Sequence, residues 1–165
     1  MAALKQEIKQ TRPFESLEQE VYLSLRLTAQ LLDEPWSRYL RKTEEISPSQ
    51  FNLLRILRGA GADGRTMGEI SERMINRDPD VTRLADRTVK LGLARRDRDE
   101  TDRRVVKLFI TQRGIDMLER LDDAENLFVK QMLGALGSKR LKELRDLLGA
   151  ARASVRPFPP EHSSK

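Results

Sequence analysis

The stretch LARRDRDETDRRVVKLFIT, residues 93–111, decides how the chain is expected to fold. Five arginines share residues 95–104 with four acidic residues, and an apolar run follows directly. That run, residues 104–110, alternates with the two-residue period of a β-strand, and residues 93–97 are a second strand-like piece. The polar loop at residues 98–103 lies between them, so the segment predicts a β-hairpin with a charged tip.

Two short helical segments are expected upstream of the hairpin. The first has a clear start, because Ser47 can cap it, Pro48 suits its first position and Gln50 completes a capping box. The glycine-rich GAGADG ends it. An extended piece, Arg-Thr-Met, then leads into a second helix over EISERM, residues 69–74.

A third helix is expected directly before the hairpin, and its outer face is polar. Asp78 can cap this helix, Pro79 can open it and Gly92 ends it. Its inward stripe consists of Val81, Leu84, Ala85 and Thr88 or Val89. The residues left facing outward are Asp80, Thr82, Arg83, Asp86 and Arg87.

Longer amphipathic helices flank these elements on both sides. A capping-box pattern at Ser16 starts an apolar stripe at four-residue spacing, which Pro35 is expected to interrupt. After the hairpin, Thr111 can cap a long helix and Ser138 can cap the last one. Residues 1–13 are expected to be frayed.

Composition excludes several classes of protein. The chain has no cysteine and one histidine, His162, so thiol chemistry, a histidine metal site and a catalytic triad lack their residues. GAGADG is followed by no Lys-Ser/Thr pair, and the carboxylate pairs are interpreted as solvated ion-pair faces. We therefore expect neither an enzyme nor a cofactor. No apolar run approaches the roughly 20 residues that span a bilayer, so a cytosolic protein is expected.

The net charge of +5 is unevenly distributed. Residues 48–110 contain 14 basic and 10 acidic residues, whereas the rest of the chain contains 17 and 16. A basic surplus in one segment is consistent with contact to nucleic acid, although it is weak evidence alone.

The order of elements is that of a winged helix-turn-helix, so the fold class is expected to be mainly α with a small β-hairpin wing. In this arrangement the second helix of the motif enters the DNA major groove. The hairpin can reach the neighbouring minor groove, where inserted arginines meet an enhanced negative potential. Asp102 and Arg104 lie two apart on one expected strand, so they can pair and hold the guanidinium still.

The region from about Ile46 to Gly114 resembles the multiple-antibiotic-resistance regulator (MarR) family of bacterial transcription factors. Three motifs carry the resemblance: VTRLADR followed by KLGLARR, DRR before a β-run, and IT-x-x-G at the start of the long helix. Each is weak alone, but their order and spacing together are specific.

The resemblance implies a homodimer, built by N- and C-terminal helices around two winged domains. It implies four parts: an N-terminal helical dimerisation segment at 14–46, a winged helix-turn-helix domain at 47–111, C-terminal dimerisation helices at 112–155, and a flexible tail at 156–165. Two-fold symmetry then predicts a palindromic operator in double-stranded DNA, with half-sites about 10 bp or a multiple of it apart.

The resemblance also implies which residues meet DNA. The recognition helix corresponds to residues 79–91, and Arg104 corresponds to a finger in the minor groove, next to Asp102. Arg83 is expected either to pair with a guanine or to contact a phosphate. Residues at base edges or nearby phosphates are Asp80, Thr82 and Arg83; those at the backbone are Arg87, Arg95, Arg96, Arg98 and Arg103.

Three departures from the family pattern bear on these expectations. Gly68 stands where a capping Ser or Thr is usual, so the first helix of the motif is expected to start loosely. Asp80 would repel a phosphate, and could instead accept from a cytosine amine. Thr88 stands where a core leucine is usual.

Family members often bind a small aromatic effector, and Trp36, Tyr39 and Phe51 lie in the matching region. Their helical spacing also fits a simple core, so both interpretations stay open. An alternative function is a winged-helix module that binds an acidic protein partner and no DNA.

Overall fold

The structure is a computed structural model, and it describes residues 4–75, 80–99 and 102–155. It is mainly helical with one antiparallel hairpin, which confirms the expected fold class. The helices and strands are α1 Leu4–Glu7, α2 Leu17–Thr43, α3 Pro48–Ala60, α4 Met67–Arg73, α5 Val81–Lys90, β1 Ala94–Arg98, β2 Val106–Ile110, α6 Gln112–Leu133 and α7 Gly137–Ser154. Two short 3-10 turns, Gly61–Asp63 and Gly134–Leu136, follow α3 and α6.

The chain divides into two compact units, Met1–Glu125 and Asn126–Lys165. The first contains two buried apolar clusters that lie on different faces of α3. Leu53 and Leu57 belong to the cluster shared with α4, α5 and the hairpin. Phe51 and Leu54 belong to the cluster shared with the end of α2 and the start of α6. Helix α3 is therefore the scaffold on which the other elements of this unit are placed.

Several expected helix starts are confirmed. Ser47 and Gln50 form the predicted capping box at α3, and the Thr111 hydroxyl accepts from the backbone N–H of Gly114 at the start of α6. Ser16 also caps α2, although the Gln19 side chain accepts from the N–H of Glu15.

Other boundary expectations are wrong. Pro35 lies inside α2 without ending it. A proline removes one backbone donor, but Leu40 is fully buried beyond it, and this packing holds the second half of the helix in place. Residues Leu4–Glu7 form a helical turn within the segment expected to be frayed. Ser138 does not cap α7, which begins at Gly137 without a side-chain cap.

Three ion pairs join residues 120–125 of α6 to α3 and to the residue after α2. Arg58 of α3 forms a bidentate pair with Asp122 at 2.6 and 3.2 Å, and that hydrogen bond raises the pKa of Arg58. Besides Arg58–Asp122, the other two pairs are Arg55–Glu125 and Arg120–Glu44, in which Glu44 directly follows the end of α2. No helix in the parts of the chain that the structure describes is long and apolar enough to cross a membrane.

The start of α6 lies unusually close to the hairpin at Gly114. A Cβ atom there would lie 2.4 Å from the carbonyl oxygen of Leu93 and 2.8 Å from Ile110 Cγ1. Thr111 fixes this approach, because its N–H donates to Leu93 O and its hydroxyl donates to Gly92 O. The glycine of the IT-x-x-G motif is therefore required by packing.

We expect Gly114→Ala to lower the free energy of unfolding by about 1–3 kcal/mol, because the added methyl group must displace backbone or strand. Chemical denaturation followed by circular dichroism measures this. The matched control is Gly59→Ala near the end of α3, where nothing lies within 4 Å of the added carbon. Equal stabilities of the two variants would contradict the packing role of Gly114.

Candidate nucleic-acid interface

Helix α4, the first helix of the helix-turn-helix motif, has a complete cap. The Thr66 hydroxyl accepts from the N–H of Glu69, while the Glu69 carboxylate accepts from the N–H of Thr66 at 2.9 Å. The expected loose start at Gly68 is wrong, because the cap lies two residues earlier. Hydrogen bonds from Thr66 lower the pKa of Glu69. The stabilisation by this carboxylate is therefore present at neutral pH and is lost as the pH falls through that lowered pKa.

Helix α5 divides cleanly into a buried face and an exposed face. The buried residues are those expected: Val81, Leu84, Ala85 and Thr88. Thr88 takes a core position, because its hydroxyl donates to Leu84 O at 2.8 Å and is thereby satisfied. Thr82, Arg83 and Arg87 lie on the exposed face.

Asp80 caps α5, whose bounds are narrower than the expected 79–91. One of its carboxylate oxygens, Oδ1, accepts from the backbone N–H of Arg83 at 3.0 Å. The other, Oδ2, lies 3.0 Å from Arg83 Nε. Asp78, the expected cap, and Pro79, the expected first residue of the helix, lie outside the described residues. Both oxygens of Asp80 therefore lie close to Arg83, and its contact with a cytosine amine stays a prediction.

Helix α5 is also joined to the hairpin by an ion pair. Asp86 Oδ1 lies 2.5 Å from Arg96 Nη1 of β1. Farther along α5, the Arg87 Nε donates to the carbonyl oxygen of Arg83 at 3.3 Å. Arg96 and α5 therefore present one continuous surface.

The hairpin is joined to the core through its second strand. Strands β1 and β2 pair antiparallel, with Arg96 opposite Leu108. On its other edge Leu108 exchanges two backbone hydrogen bonds with Arg65, at 2.9 and 2.7 Å. The Leu108 side chain is fully buried, so the base of the wing is rigidly placed beside α5.

Arg95 is restrained on the surface of the wing. Its guanidinium lies 4.6 Å from the ring centre of Phe109, its cross-strand neighbour, and pairs with Asp97 two residues along β1. Lys107 on β2 pairs with Asp99, and this hydrogen bond raises the pKa of Lys107.

The tip of the wing differs from the expectation of a paired strand. Residues 102–105 form a turn in which the N–H of Val105 donates to Asp102 O at 2.9 Å. The Asp102 carboxylate accepts from the backbone N–H of Arg104 at 3.0 Å, as aspartate does at the first position of such turns. Strand β2 begins later, at Val106, so the predicted same-face pairing of the two side chains is wrong.

Three arginines of the wing tip are exposed to solvent: Arg98, Arg103 and Arg104. Within residues 80–99 and 102–155, no ion pair holds any of their guanidinium groups. The predicted DNA-binding residues thus lie together on α5 and the hairpin. Among them, a first group of three arginines is restrained by carboxylates or an aromatic ring: Arg83, Arg95 and Arg96.

Sequence reasoning missed the residues that restrain the first group: Asp86, Asp97 and Phe109. A signal existed for Asp97, because it lies two residues from Arg95 on a strand and therefore on the same face. The contacts of Asp86 and Phe109 depend on how α5 and β2 are placed against β1, which no local spacing indicates.

The aromatic residues named as an effector pocket contact one another. Trp36 stacks on Tyr39 with ring centres 5.4 Å apart and meets Phe51 edge-on at 5.6 Å. Phe51 is buried, whereas Tyr39 is 41% exposed. A groove of about 740 Å³ lies along α2 nearby, lined by Ser37 and Glu34 but not by these three rings.

Comparison with known proteins identifies the family of this chain. Residues 45–105 match the family model for the MarR family. The transcriptional regulator PrsX of Escherichia coli is 29% identical over 91 residues, which are 55% of either chain, so the match spans about half the length of that relative. A MarR transcription factor from Planctomyces limnophilus is 33% identical, with 84% of this chain and 99% of that chain covered and a TM-score of 0.62.

The fold is also similar to that of the protein in the S. aureus MepR–DNA complex, with a TM-score of 0.72 and 20% identity, over 82% of this chain and 97% of that one. The match to the Planctomyces limnophilus protein covers nearly the whole length of that protein, and a third of the matched residues are identical. The chain belongs to the MarR family of transcription regulators, which are not enzymes.

Proposed function

We propose that the chain is a repressor that binds a palindromic operator in double-stranded DNA as a homodimer and releases it when a small aromatic effector binds. The observation that carries this proposal is the juxtaposition of the exposed polar face of α5 with the arginine-bearing tip of the hairpin. Both are fixed to one core through α3 and Leu108. A helix in the major groove with a basic finger beside it uses both surfaces at once.

Some of the residues on α5 and the hairpin would contact base edges, and others would contact phosphates. Thr82 and Arg83 lie on the exposed turn at the start of α5, where a recognition helix meets bases. Arg87 lies one turn later and suits the backbone. Arg104 suits the minor groove, with Asp102 shaping the turn that carries it. The supporting phosphate contacts are assigned to Arg95, Arg96, Arg98 and Arg103.

The homodimer is proposed from apolar surface that one chain leaves uncovered. In the first unit, α2 exposes Leu17, Val21, Tyr22, Leu25 and Leu31. In the second unit the exposed apolar residues are Leu127, Val129, Met132, Leu136, Leu144, Leu147 and Val155. Large apolar patches on a chain mark interaction sites. The parts at 14–46 and 112–155 would supply this dimer interface, and two-fold symmetry would make the operator palindromic.

We expect Arg104→Ala to weaken operator binding at least tenfold while the dimer stays intact, because the variant loses the finger but no packing contact. The operator is obtained by selecting duplexes from a random pool with the wild-type chain. Fluorescence anisotropy over a salt series then gives affinity and its salt slope, which falls by about 1 when one phosphate contact is lost.

Arg12→Ala is the control for Arg104→Ala, because it removes an exposed cation far along the chain from the winged domain. Equal binding by the two variants would reject the finger. If the wild-type chain enriches no duplex and its affinity for mixed DNA is independent of salt, the module that binds an acidic protein replaces the proposed function.

Removal of residues 138–165 should convert the dimer into monomers or aggregates, because it deletes nearly all of α7 with its exposed leucines. Size-exclusion chromatography with light scattering measures the mass. Removal of residues 156–165 alone is the control and should leave the dimer. A well-behaved dimer after the longer deletion would overturn the assignment of α7 to the interface.

The effector is proposed to act next to the cluster of Trp36, Tyr39 and Phe51. Trp36 is the single tryptophan, so its fluorescence reports directly on that region. We expect one member of a panel of substituted phenols to change this emission saturably and to weaken operator binding by about 5–150-fold. Tyr39→Ala should alter the half-saturating concentration. Operator release with unchanged Trp36 emission would place the effector elsewhere.

A further inference from the structure

Arg83 carries an exposed guanidinium that forms an ion pair with the N-cap residue of its own helix. Its side chain is 81% exposed, yet Nε lies 3.0 Å from Asp80 Oδ2. The same carboxylate caps α5 through Oδ1, which accepts the backbone N–H of Arg83 at 3.0 Å. One carboxylate therefore fixes both the main chain and the side chain of a single arginine.

The geometry points to Asp80 as a positioning residue that makes Arg83 specific for guanine; this inference rests on the proposed function. A guanidinium has five N–H donors, and it can present either its Nε/Nη2 edge or its Nη1/Nη2 end. With Nε engaged by Asp80, the end with Nη1 and Nη2 is the one left to face outward. Those two nitrogens match the O6 and N7 acceptors on the major-groove edge of guanine.

Restraint matters because Arg83 is otherwise free to rotate. A long side chain loses rotamer freedom when it makes a two-point contact, and that loss is smaller if it is already fixed. A phosphate, in contrast, accepts an arginine in many orientations. Restraint by Asp80 therefore favours guanine over a phosphate for Arg83.

The negative charge of Asp80 has the opposite effect on the affinity for DNA of any sequence, which it lowers. A carboxylate at the DNA-facing end of the helix repels the phosphate backbone, and phosphate contacts supply most non-specific affinity. Asp80 is thus expected to weaken non-specific binding while it strengthens discrimination by Arg83. A residue that only caps the helix would not change the non-specific affinity and the discrimination by Arg83 in opposite directions.

The test uses the full-length chain and the duplex that the wild-type chain enriches from a random pool. The guanine that Arg83 contacts is identified as the one at which Arg83→Ala abolishes discrimination. It is then replaced by 7-deazaguanine, which lacks the N7 acceptor. The wild-type chain should bind the 7-deaza duplex about tenfold more weakly than the parent.

Asp80→Asn keeps a side-chain oxygen that can cap α5 but removes the ion pair with Arg83. We expect its preference for guanine over 7-deazaguanine to fall at least threefold, while its affinity for a mixed-sequence duplex rises about twofold. In the double variant with Arg83→Ala, the Asp80 change should have no further effect on the preference. Asp80→Ser, which also caps, gives the same readout if the asparagine variant does not fold.

Asp86→Asn is the matched control, because it removes one negative charge from the same helix and leaves the Asp80–Arg83 pair in place. It should shift the affinities for the two duplexes equally. If Asp80→Asn also shifts both equally, Asp80 acts only by charge or by capping, and the inference is overturned. If the wild-type chain enriches no duplex, the proposed function itself fails and this role fails with it.

Discussion

The position of Leu108 is the constraint on which the winged domain depends. Its side chain is fully buried in the cluster formed with α3, α4 and α5. In β2 it lies opposite Arg96 of β1, while its backbone N–H and C=O both bond to Arg65 on the other edge. One residue thus connects the hairpin, the entry to α4 and the core. Because a register shift by a single residue would turn this side chain outward, the burial of Leu108 also fixes where the tip arginines emerge.

The acidic residues that interrupt the arginines have a common structural purpose. Asp80, Asp86 and Asp97 each contact a guanidinium, while Asp102 holds the backbone of the turn. Exposed ion pairs of this kind contribute only about 0–1 kcal/mol to stability, so their main effect is on orientation. Arg83, Arg95 and Arg96 are held in this way, whereas the tip arginines form no ion pair within the part of the chain that the structure describes.

Much of the fold was predictable because its signals are local. The capping box at Ser47 and the cap at Thr111 depend on neighbours in sequence, and both are confirmed. Strand β2 is also present, but it starts at Val106 and its burial does not alternate. The prediction that Pro35 interrupts α2 was wrong, because the local effect of a proline was overridden by the burial of Leu40, which is a tertiary effect.

The candidate site was predictable as a set of arginines but not as a set of contacts. Asp102 was expected to meet the Arg104 side chain and instead accepts from its backbone N–H, since the strand begins two residues later than the alternation suggested.

The mixture of positive and negative charges in the hairpin has a kinetic consequence. Five arginines and four acids leave residues 95–104 with little net charge to be felt beyond a Debye length of about 8–10 Å. Long-range attraction would therefore accelerate encounter with a duplex only slightly, and the lifetime of the bound state would carry most of the selectivity.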